Sequence, residues 1–301
     1  MNAQTKIPLD VEPTALAGKV AAVPTPADLE IVVRDRRFGR KDKPGRWWLG
    51  GDPIATAWHN ALSATFPRGE AFFVEAVKAH RDGAPDKLAG EIRAFVRQEI
   101  NHTREHVVLN KAATEAGYDL SSIDRRIEHN LALTKDRPVI FNLAVTMALE
   151  HYTAMMAHDF LANPRHFAGA HKETADLWRW HAMEEIEHKG VAYDTWRHAT
   201  KDWTRYRRWK LKSVMMLIVT GSFIKNRWAD TIELLRQDGI TGPAVKLRLA
   251  WYLFGSPGIM RRVFPAWCAY FLPGFHPWNH DDRALIGKAE SEFPDAIMAA
   301  A

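Results

Sequence analysis

Carboxylates and histidines recur through the middle of the chain in an order that can hold a pair of metal ions. A dinuclear site inside a four-helix bundle takes one Glu from each of two helices and a Glu-x-x-His pair from each of the other two. Residues three apart on a helix project from the same face, so each pair offers an oxygen and a nitrogen to the same ions. The chain supplies these residues in the required order: Glu70, Glu99, His102, Glu150, Glu185 and His188.

Turn-forming residues lie midway between successive acids of this set. The midpoint between Glu70 and Glu99 falls inside Arg81–Pro85, and the midpoint between Glu150 and Glu185 falls inside Asn163–Gly169. Both segments contain Gly and Pro, which are strong turn signals. A helix hairpin that turns at such a segment brings its two acids to the same depth. The spacing therefore predicts two hairpins whose carboxylates meet.

The residue types of this set indicate which metals it would hold. Carboxylate oxygens with one imidazole for each ion suit iron or manganese, and a set without thiolate is a poor match for structural zinc. Four buried carboxylates would repel one another and be costly to desolvate, so two cations make such a core tenable. We predict a cofactor of two metal ions, iron in the first place, with manganese as the alternative.

Neighbouring acids leave two alternatives open within the set. Glu184 is four residues from His188 and could replace Glu185 as the ligand. Glu75 could replace Glu70, although its position fits the spacing of the first hairpin less well.

Two further histidines, His106 and His181, lie on the same helical stripes as the predicted ligands. In a ferritin-like arrangement both would fall towards the same end of the site. They could be additional ligands, side chains that orient the ligands, or a pair that transfers protons.

Hydrophobic periodicity predicts the helices that carry these residues. They cover residues 69–80, 86–110, 121–133, 139–161, 172–200, 203–237, 243–254 and 258–271, after a first helix that begins at Pro53. The connection 117–138 is long and contains its own short helix, a crossover that ferritin-like bundles use between their second and third helices. We predict an all-α protein with a ferritin-like four-helix bundle.

Composition shifts along the chain predict three parts: an N-terminal arm over 1–51, the bundle over 52–200 and a C-terminal helical cap over 201–301. Residues 1–27 read as a loose arm. Leu29–Arg34 reads as an edge strand or a packed extended segment and offers no chemistry. The residues after 271 read as an extended tail.

The overall composition is typical of a globular protein with a sizeable core, with 47% hydrophobic and 26% charged residues. One cysteine excludes an internal disulfide and indicates a reducing compartment. No secretory signal is visible and no apolar run approaches the roughly 20 residues that span a bilayer. We predict a cytoplasmic protein. The charge of +5 is scattered, and we predict no nucleic-acid partner.

Residues 203–228 interleave cations and aromatic residues on both sides of the apolar run 214–224. This pattern is typical of a helix that lies at a lipid interface, which would give peripheral contact with the inner membrane. A cap helix that faces the core is the interpretation we favour, and membrane contact is the alternative. Besides a small-molecule substrate, a homodimer is left open as a further partner.

Several segments of the chain resemble a bacterial family labelled as predicted metal-dependent hydrolases, over about residues 27–285. The matching segments are Phe66–Phe73, Gln98–His106, Ala148–Ala154, Trp180–Lys189 and Pro273–Trp278. The resemblance implies the metal ligands, and we take no reaction from it. The ligand pattern itself resembles the ferritin-like di-iron carboxylate proteins, whose members mostly activate dioxygen.

We predict a non-haem di-iron (or iron–manganese) oxidoreductase that activates O₂ to oxidise an organic, hydrophobic substrate. It would take electrons from an external donor, and we predict no catalytic residue beyond the metal ligands. The alternative is a dinuclear hydrolase of an ester, amide or phosphate. This alternative comes second because the chain shows no Gly-rich phosphate loop and no nucleophilic Ser or Cys context.

Overall fold

The computed structural model describes residues 25–292, and regular structure in this part of the chain is helical. The helices are α1 (Pro53–Ser63), α2 (Phe66–Lys78), α3 (Asp86–Glu115), α4 (Ser121–Ala132), α5 (Val139–Ala162), α6 (Lys172–His188), α7 (Val191–Ala199), α8 (Arg205–Gln237), α9 (Pro243–Ala250), α10 (Ile259–Ala269) and α11 (Arg283–Glu292). Within the described residues, β-pairing is limited to an isolated bridge between Leu49 and Ala170. The predicted all-α class is confirmed.

Four helices contact one another in a ring. α2 contacts α3 and α5, and α6 contacts the same two helices from the other side. The chain turns between α2 and α3 at Gly83 and between α5 and α6 at Gly169, both with positive φ. These turns fall in the two segments that the sequence predicts. α4 lies in the long connection between α3 and α5.

α5 is the central helix of the fold. It contacts α2, α6, α7, α8, α10 and α11, and buried residues occur on all its sides. A helix that is apolar all round is expected at such a position, because every face meets protein. α1 is buried along almost its whole length and packs against α8. Its start is fixed by Asp52, whose carboxylate accepts a hydrogen bond from the backbone N–H of Ile54 at 2.8 Å.

The helix predicted over 172–200 is two helices, because α6 ends at His188 and α7 begins at Val191. Gly190 lies between them, where a Cβ atom would come within 3.0 Å of the Trp278 ring nitrogen. Glycine is therefore needed for the close approach of the C-terminal segment, and it interrupts the helix.

The predicted extended tail is wrong for its last described part, which forms α11. This helix packs against α5 and α6. It is only ten residues long, too short for a reliable periodic signal, and its packing on distant helices supplies the stabilisation.

Leu29–Arg34 is a packed extended segment rather than an edge strand, since it forms no ladder with another described segment. Residues 1–24 of the predicted loose arm lie outside the described residues. Among residues 25–292, none of the helices combines the length and the apolar character needed to cross a lipid bilayer.

Candidate metal centre

The acids and histidines singled out in the sequence lie together at the centre of the helix ring. Each side chain is at least 95% buried. We call this set the bundle cluster: Glu70 from α2, Glu99, His102 and His106 from α3, Glu150 from α5, and His181, Glu185 and His188 from α6.

His188 points one ring nitrogen at three carboxylates of the bundle cluster. Its Nε2 atom lies 3.3 Å from Glu99, 3.5 Å from Glu150 and 3.4 Å from Glu185. Its Nδ1 atom lies 2.9 Å from the side-chain oxygen of Gln98 and donates to it. Gln98 is held in this orientation because its amide nitrogen donates to Glu187 at 2.9 Å. The Nε2 lone pair of His188 therefore faces the acids.

His102 is oriented in the same way with the opposite nitrogen. Its Nε2 atom donates to Glu184 at 3.1 Å. Its Nδ1 atom lies 3.8 Å from a Glu99 oxygen and 3.7 Å from a Glu185 oxygen. An outer carboxylate thus fixes the tautomer that leaves an inward lone pair.

A chain of hydrogen bonds orients His181 through His106. The Ser63 hydroxyl donates to Asn110 at 2.7 Å, so it accepts from His106 Nδ1 at 2.9 Å. His106 Nε2 then accepts from His181 Nδ1 at 2.6 Å. The remaining nitrogen of His181, Nε2, lies 2.8 Å from Glu185 and 3.8 Å from Glu70. His181 Nε2 therefore faces the inner acids and contacts Glu185, whereas both nitrogens of His106 are turned to Ser63 and His181.

Many polar atoms of the bundle cluster are buried without a hydrogen-bond partner. They are Glu70 Oε1, both carboxylate oxygens of Glu99 and of Glu150, Glu185 Oε2, His102 Nδ1 and His188 Nε2. Buried polar groups in native proteins are nearly always satisfied, and each exception needs an explanation. Eight such atoms that converge on one region fit divalent cations as the missing partners. The donor set of carboxylate oxygen and imidazole nitrogen is a normal one for such ions.

The acids of the bundle cluster show the electrostatic cost of their burial. Desolvation raises the pKa of Glu70, Glu99 and Glu150 well above the ordinary value, and neighbouring carboxylates raise it further. Burial also opposes ionisation of Glu185, but two adjacent imidazoles outweigh it and hold its pKa well below the ordinary value. Cations would take the place of the protons that the three acids otherwise retain.

Three of the histidines, His102, His106 and His181, are neutral at pH 7, as metal ligands must be. Burial lowers the pKa of His102 to about 3 and that of His181 to about 4. Burial likewise lowers the pKa of His106 well below its ordinary value.

The two alternative acids lie outside the bundle cluster. Glu75 is 74% exposed and pairs with Lys78 at 3.1 Å. Glu184 is buried, yet its oxygens accept from His102 and from the indole nitrogen of Trp180, at 3.0 Å for the latter. Glu184 is thus placed to orient a histidine rather than to join the inner acids.

Arg34 sits behind these outer acids and is missed by sequence reasoning. Its guanidinium donates to Glu187 at 2.7 Å and lies 3.6 Å from Glu184. It is buried and supplies the positive charge that two buried carboxylates require. Residues 29–34, which the sequence leaves without a chemical role, therefore support the site. No local spacing could reveal this pair, since its members are about 150 residues apart.

Gln98 and Thr103 were also missed, and for them a signal exists. Each is next to a predicted ligand on α3, and the Thr103 hydroxyl donates to Glu70 at 2.7 Å. Polar residues beside ligands on a buried helix face are candidates for orienting them.

Comparison with known proteins assigns the chain to a family. No curated protein and no solved structure gives a significant match. A family model described as predicted metal-dependent hydrolase matches residues 32–281. This match overturns the predicted di-iron oxygenase, the reaction for which the external electron donor was predicted. The prediction failed because Glu and His ligands serve Lewis-acid and redox metals alike, so the ligand pattern cannot choose the reaction. The chain belongs to the family of predicted metal-dependent hydrolases.

Proposed function

We propose that this protein is a hydrolase that cleaves an ester, amide or phosphate bond of a small-molecule substrate at a centre of two divalent metal ions. The observation that carries the proposal is the convergence of eight buried, unpartnered ligand atoms. The family match supplies the reaction type.

The proposed ligands are the six residues of the original pattern together with His181: Glu70, Glu99, His102, Glu150, His181, Glu185 and His188. His181 joins them because its Nε2 atom faces two of the acids and already contacts Glu185 at 2.8 Å. His106 is assigned as a positioning residue, since its two nitrogens are bonded to Ser63 and His181.

Divalent ions bound here would polarise the scissile carbonyl or phosphoryl group and make water a stronger acid. The chain's own residues prepare the site for this chemistry. Gln98, Glu184 and His106 each hold one ligand imidazole in the tautomer that points a lone pair inwards. A pre-set ligand geometry avoids reorganisation during the reaction.

Aromatic rings close off the site from bulk solvent. Phe95 meets the His188 ring edge-on at 4.9 Å between centroids, and Trp180 meets His102 at 5.0 Å. Phe66 lies 4.8 Å from His181. Electrostatic interactions inside such a shell are stronger than in water, because fewer solvent dipoles screen them.

For the fold, we propose that α2, α3, α5 and α6 form a ferritin-like bundle. The ring of contacts among these helices and the position of α4 in the long crossover support this. The division into an arm (1–51), a bundle (52–200) and a cap (201–301) belongs to the same proposal. Peripheral membrane contact through 203–228, a homodimer and the absence of a nucleic-acid partner stay predictions.

The test is metal content combined with hydrolysis. The full-length protein is stripped with a chelator, reloaded with Mn²⁺, Zn²⁺ or Fe²⁺, and assayed on nitrophenyl esters, anilides and phosphates. We expect Glu99→Gln to lose bound metal and hydrolysis together. The matched control is Glu75→Gln, on an exposed acid of α2, which should keep both. A loaded protein that cleaves none of the three bond classes would contradict the proposal.

A further inference from the structure

A large apolar cavity lies beside the bundle cluster, between α2, α4, α5 and α8. Its volume is about 530 Å³. Small-molecule sites in proteins typically measure roughly 300–1,000 Å³ and are lined mainly by apolar and aromatic side chains. The cavity meets both conditions, and no part of the proposed metal chemistry uses it.

The inner end of the cavity adjoins the acids of the bundle cluster. Phe66 and Phe73 line it, and they lie one helical turn before and after Glu70 on α2. On α5, Leu149 and Thr153 line it and flank Glu150. Residues next to, or one helical turn from, two of the proposed ligands therefore line the cavity.

The exposure of the lining residues locates the mouth. Leu133 is 62% exposed and Ile218 is 57% exposed, and both line the cavity. Leu62, Phe73 and Val219 line it as well and are buried. The cavity thus runs from the end of α4 and the middle of α8 inwards to the bundle cluster.

The charges around the cavity argue against a highly charged substrate. Arg227 lines it but donates to the Ala61 carbonyl at 3.1 Å and pairs with Asp230. Arg137 lines it at the exposed side. The remaining polar lining residues are neutral: Thr65, Asn130, Thr134, Asn142, Tyr152, Thr153, Ser222 and Asn226. Apart from Arg227, whose charge is already paired with Asp230, the inner lining offers a phosphate no cation to offset its desolvation.

We propose that this cavity binds a long unbranched hydrocarbon chain, so that the substrate is a long-chain ester or amide. In this proposal the hydrocarbon chain of the substrate extends from the mouth of the cavity to its inner end. The bond to be cleaved then lies beside Glu70 and Glu150. The second part of this statement rests on the proposed function, whereas binding of the chain does not. A hydrocarbon chain is the occupant that a mainly apolar space of this volume favours, because each methylene that leaves water adds to affinity.

The test measures binding without turnover. The probe is cis-parinaric acid, a fluorescent long-chain fatty acid, displaced by methyl esters of increasing chain length below their critical micelle concentrations. Metal-free and metal-loaded full-length protein are both titrated. Each added methylene should tighten binding about fourfold until the cavity is filled.

Two neighbouring positions on α8 provide a matched pair of variants. Ile218 lines the mouth, whereas Leu217 is equally exposed, at 55%, and lies outside the lining. Ile218→Trp should weaken binding of the long esters about tenfold or more, and Leu217→Trp should change it by less than about twofold. Both positions are at the surface, so unchanged thermal unfolding is expected for the two variants.

Affinity that does not depend on chain length, or an equal response of the two variants, overturns the assignment of the cavity. The proposed function fails separately. If long esters bind as expected but the metal-loaded protein leaves them intact, the cavity assignment stands and the hydrolase proposal falls. If short and long esters are cleaved equally well and the probe does not bind, the hydrolase proposal stands and the cavity assignment falls.

Discussion

Two groups of histidines and acids in the described part of the chain bring ligand atoms close enough together to hold a metal ion. One is the bundle cluster. The other, which we call the C-terminal cluster, consists of His158, His280 and Asp282. Their ligand atoms are similarly close, but their hydrogen bonding is opposite. In the bundle cluster most inner atoms have no partner, whereas in the C-terminal cluster the carboxylate is fully engaged.

The carboxylate of the C-terminal cluster already has hydrogen-bond donors and a cation. His158 and His280 both donate to Asp282 Oδ1, at 2.7 and 2.8 Å, and Lys189 donates to Oδ2 at 2.5 Å. Burial opposes ionisation of Asp282, but these donors outweigh it and hold its pKa well below the ordinary value. The Lys189 ammonium also lies 4.2 Å from the Trp278 ring centroid. A metal ion at this carboxylate would have to displace these donors and would lie close to the lysine charge.

Closely spaced ligand atoms of histidine and acidic side chains are therefore a weak indicator of a metal site. What distinguishes the bundle cluster is hydrogen-bonding capacity that the protein itself leaves unmet. An ion pair meets that capacity in the C-terminal cluster.

The largest effect on metal content should come from exchanging an inner acid of the bundle cluster for its amide. Glu185→Gln removes a charge that faces three histidines, and we expect it to lose most of its bound metal. The loss of metal affinity should exceed the roughly 10–100-fold typical of an outer partner. Elemental analysis of the purified protein measures it.

Asp282→Asn is the matched control, because it makes the same chemical change in the C-terminal cluster. It should keep the metal content of the unmodified protein. Equal loss of metal in both variants would show that unmet hydrogen bonding does not separate the two clusters.

The next largest effect concerns Arg34. Its guanidinium pairs with the outer acids Glu184 and Glu187, as the Lys189 ammonium pairs with Asp282 in the C-terminal cluster. Arg34→Met leaves Glu184 and Glu187 buried without their cation. Removing one partner of a buried ion pair typically costs about 3–5 kcal/mol of stability. Urea unfolding of the metal-loaded protein measures this cost. Arg37→Met, at a 52% exposed arginine on the same segment, should change the free energy of unfolding by less than about 1 kcal/mol.

Arg34 also shows where sequence reasoning ends. The hairpin spacing predicts that Glu70 and Glu99 lie together, because the turn between two helices is determined by the residues that form it. The contact of Arg34 with α6 depends on how a distant extended segment packs, and periodicity carries no such information. The same holds for α11, which is stabilised by the helices it covers.

The functional part of the sequence reading has the same limit. Ligand types and spacing pointed to the residues that the structure gathers in one buried cluster. The choice between oxidation and hydrolysis depends on the bound ion and the substrate. Neither can be inferred from the types and spacing of the ligands, because the same ligands serve both reactions. The family match was needed for that choice.

A smaller effect is expected from the outer partner of His188. Gln98→Leu keeps the size of the side chain but removes the acceptor for His188 Nδ1. Metal affinity should fall about 10–100-fold, because the imidazole is no longer held in its inward tautomer. Competition with a fluorescent chelator measures the affinity.

Asn101→Leu, on the same helix and in contact with Arg34 and Arg104, serves as the control. Equal losses in the two variants would mean that general packing, and not the hydrogen bond, sets the affinity.

The smallest effect is predicted for His280→Gln in the C-terminal cluster. The His280 side chain is 71% exposed, and its acceptor Asp282 keeps two other donors when the imidazole is removed. A side chain as exposed as His280 contributes about 0–1 kcal/mol through such a contact. We therefore expect an almost unchanged free energy of unfolding and an unchanged metal content. If the variant instead loses a full equivalent of metal, the imidazole was a ligand despite its satisfied neighbour. Unmet hydrogen bonding would then be a sufficient sign of a metal site in this protein but not a necessary one.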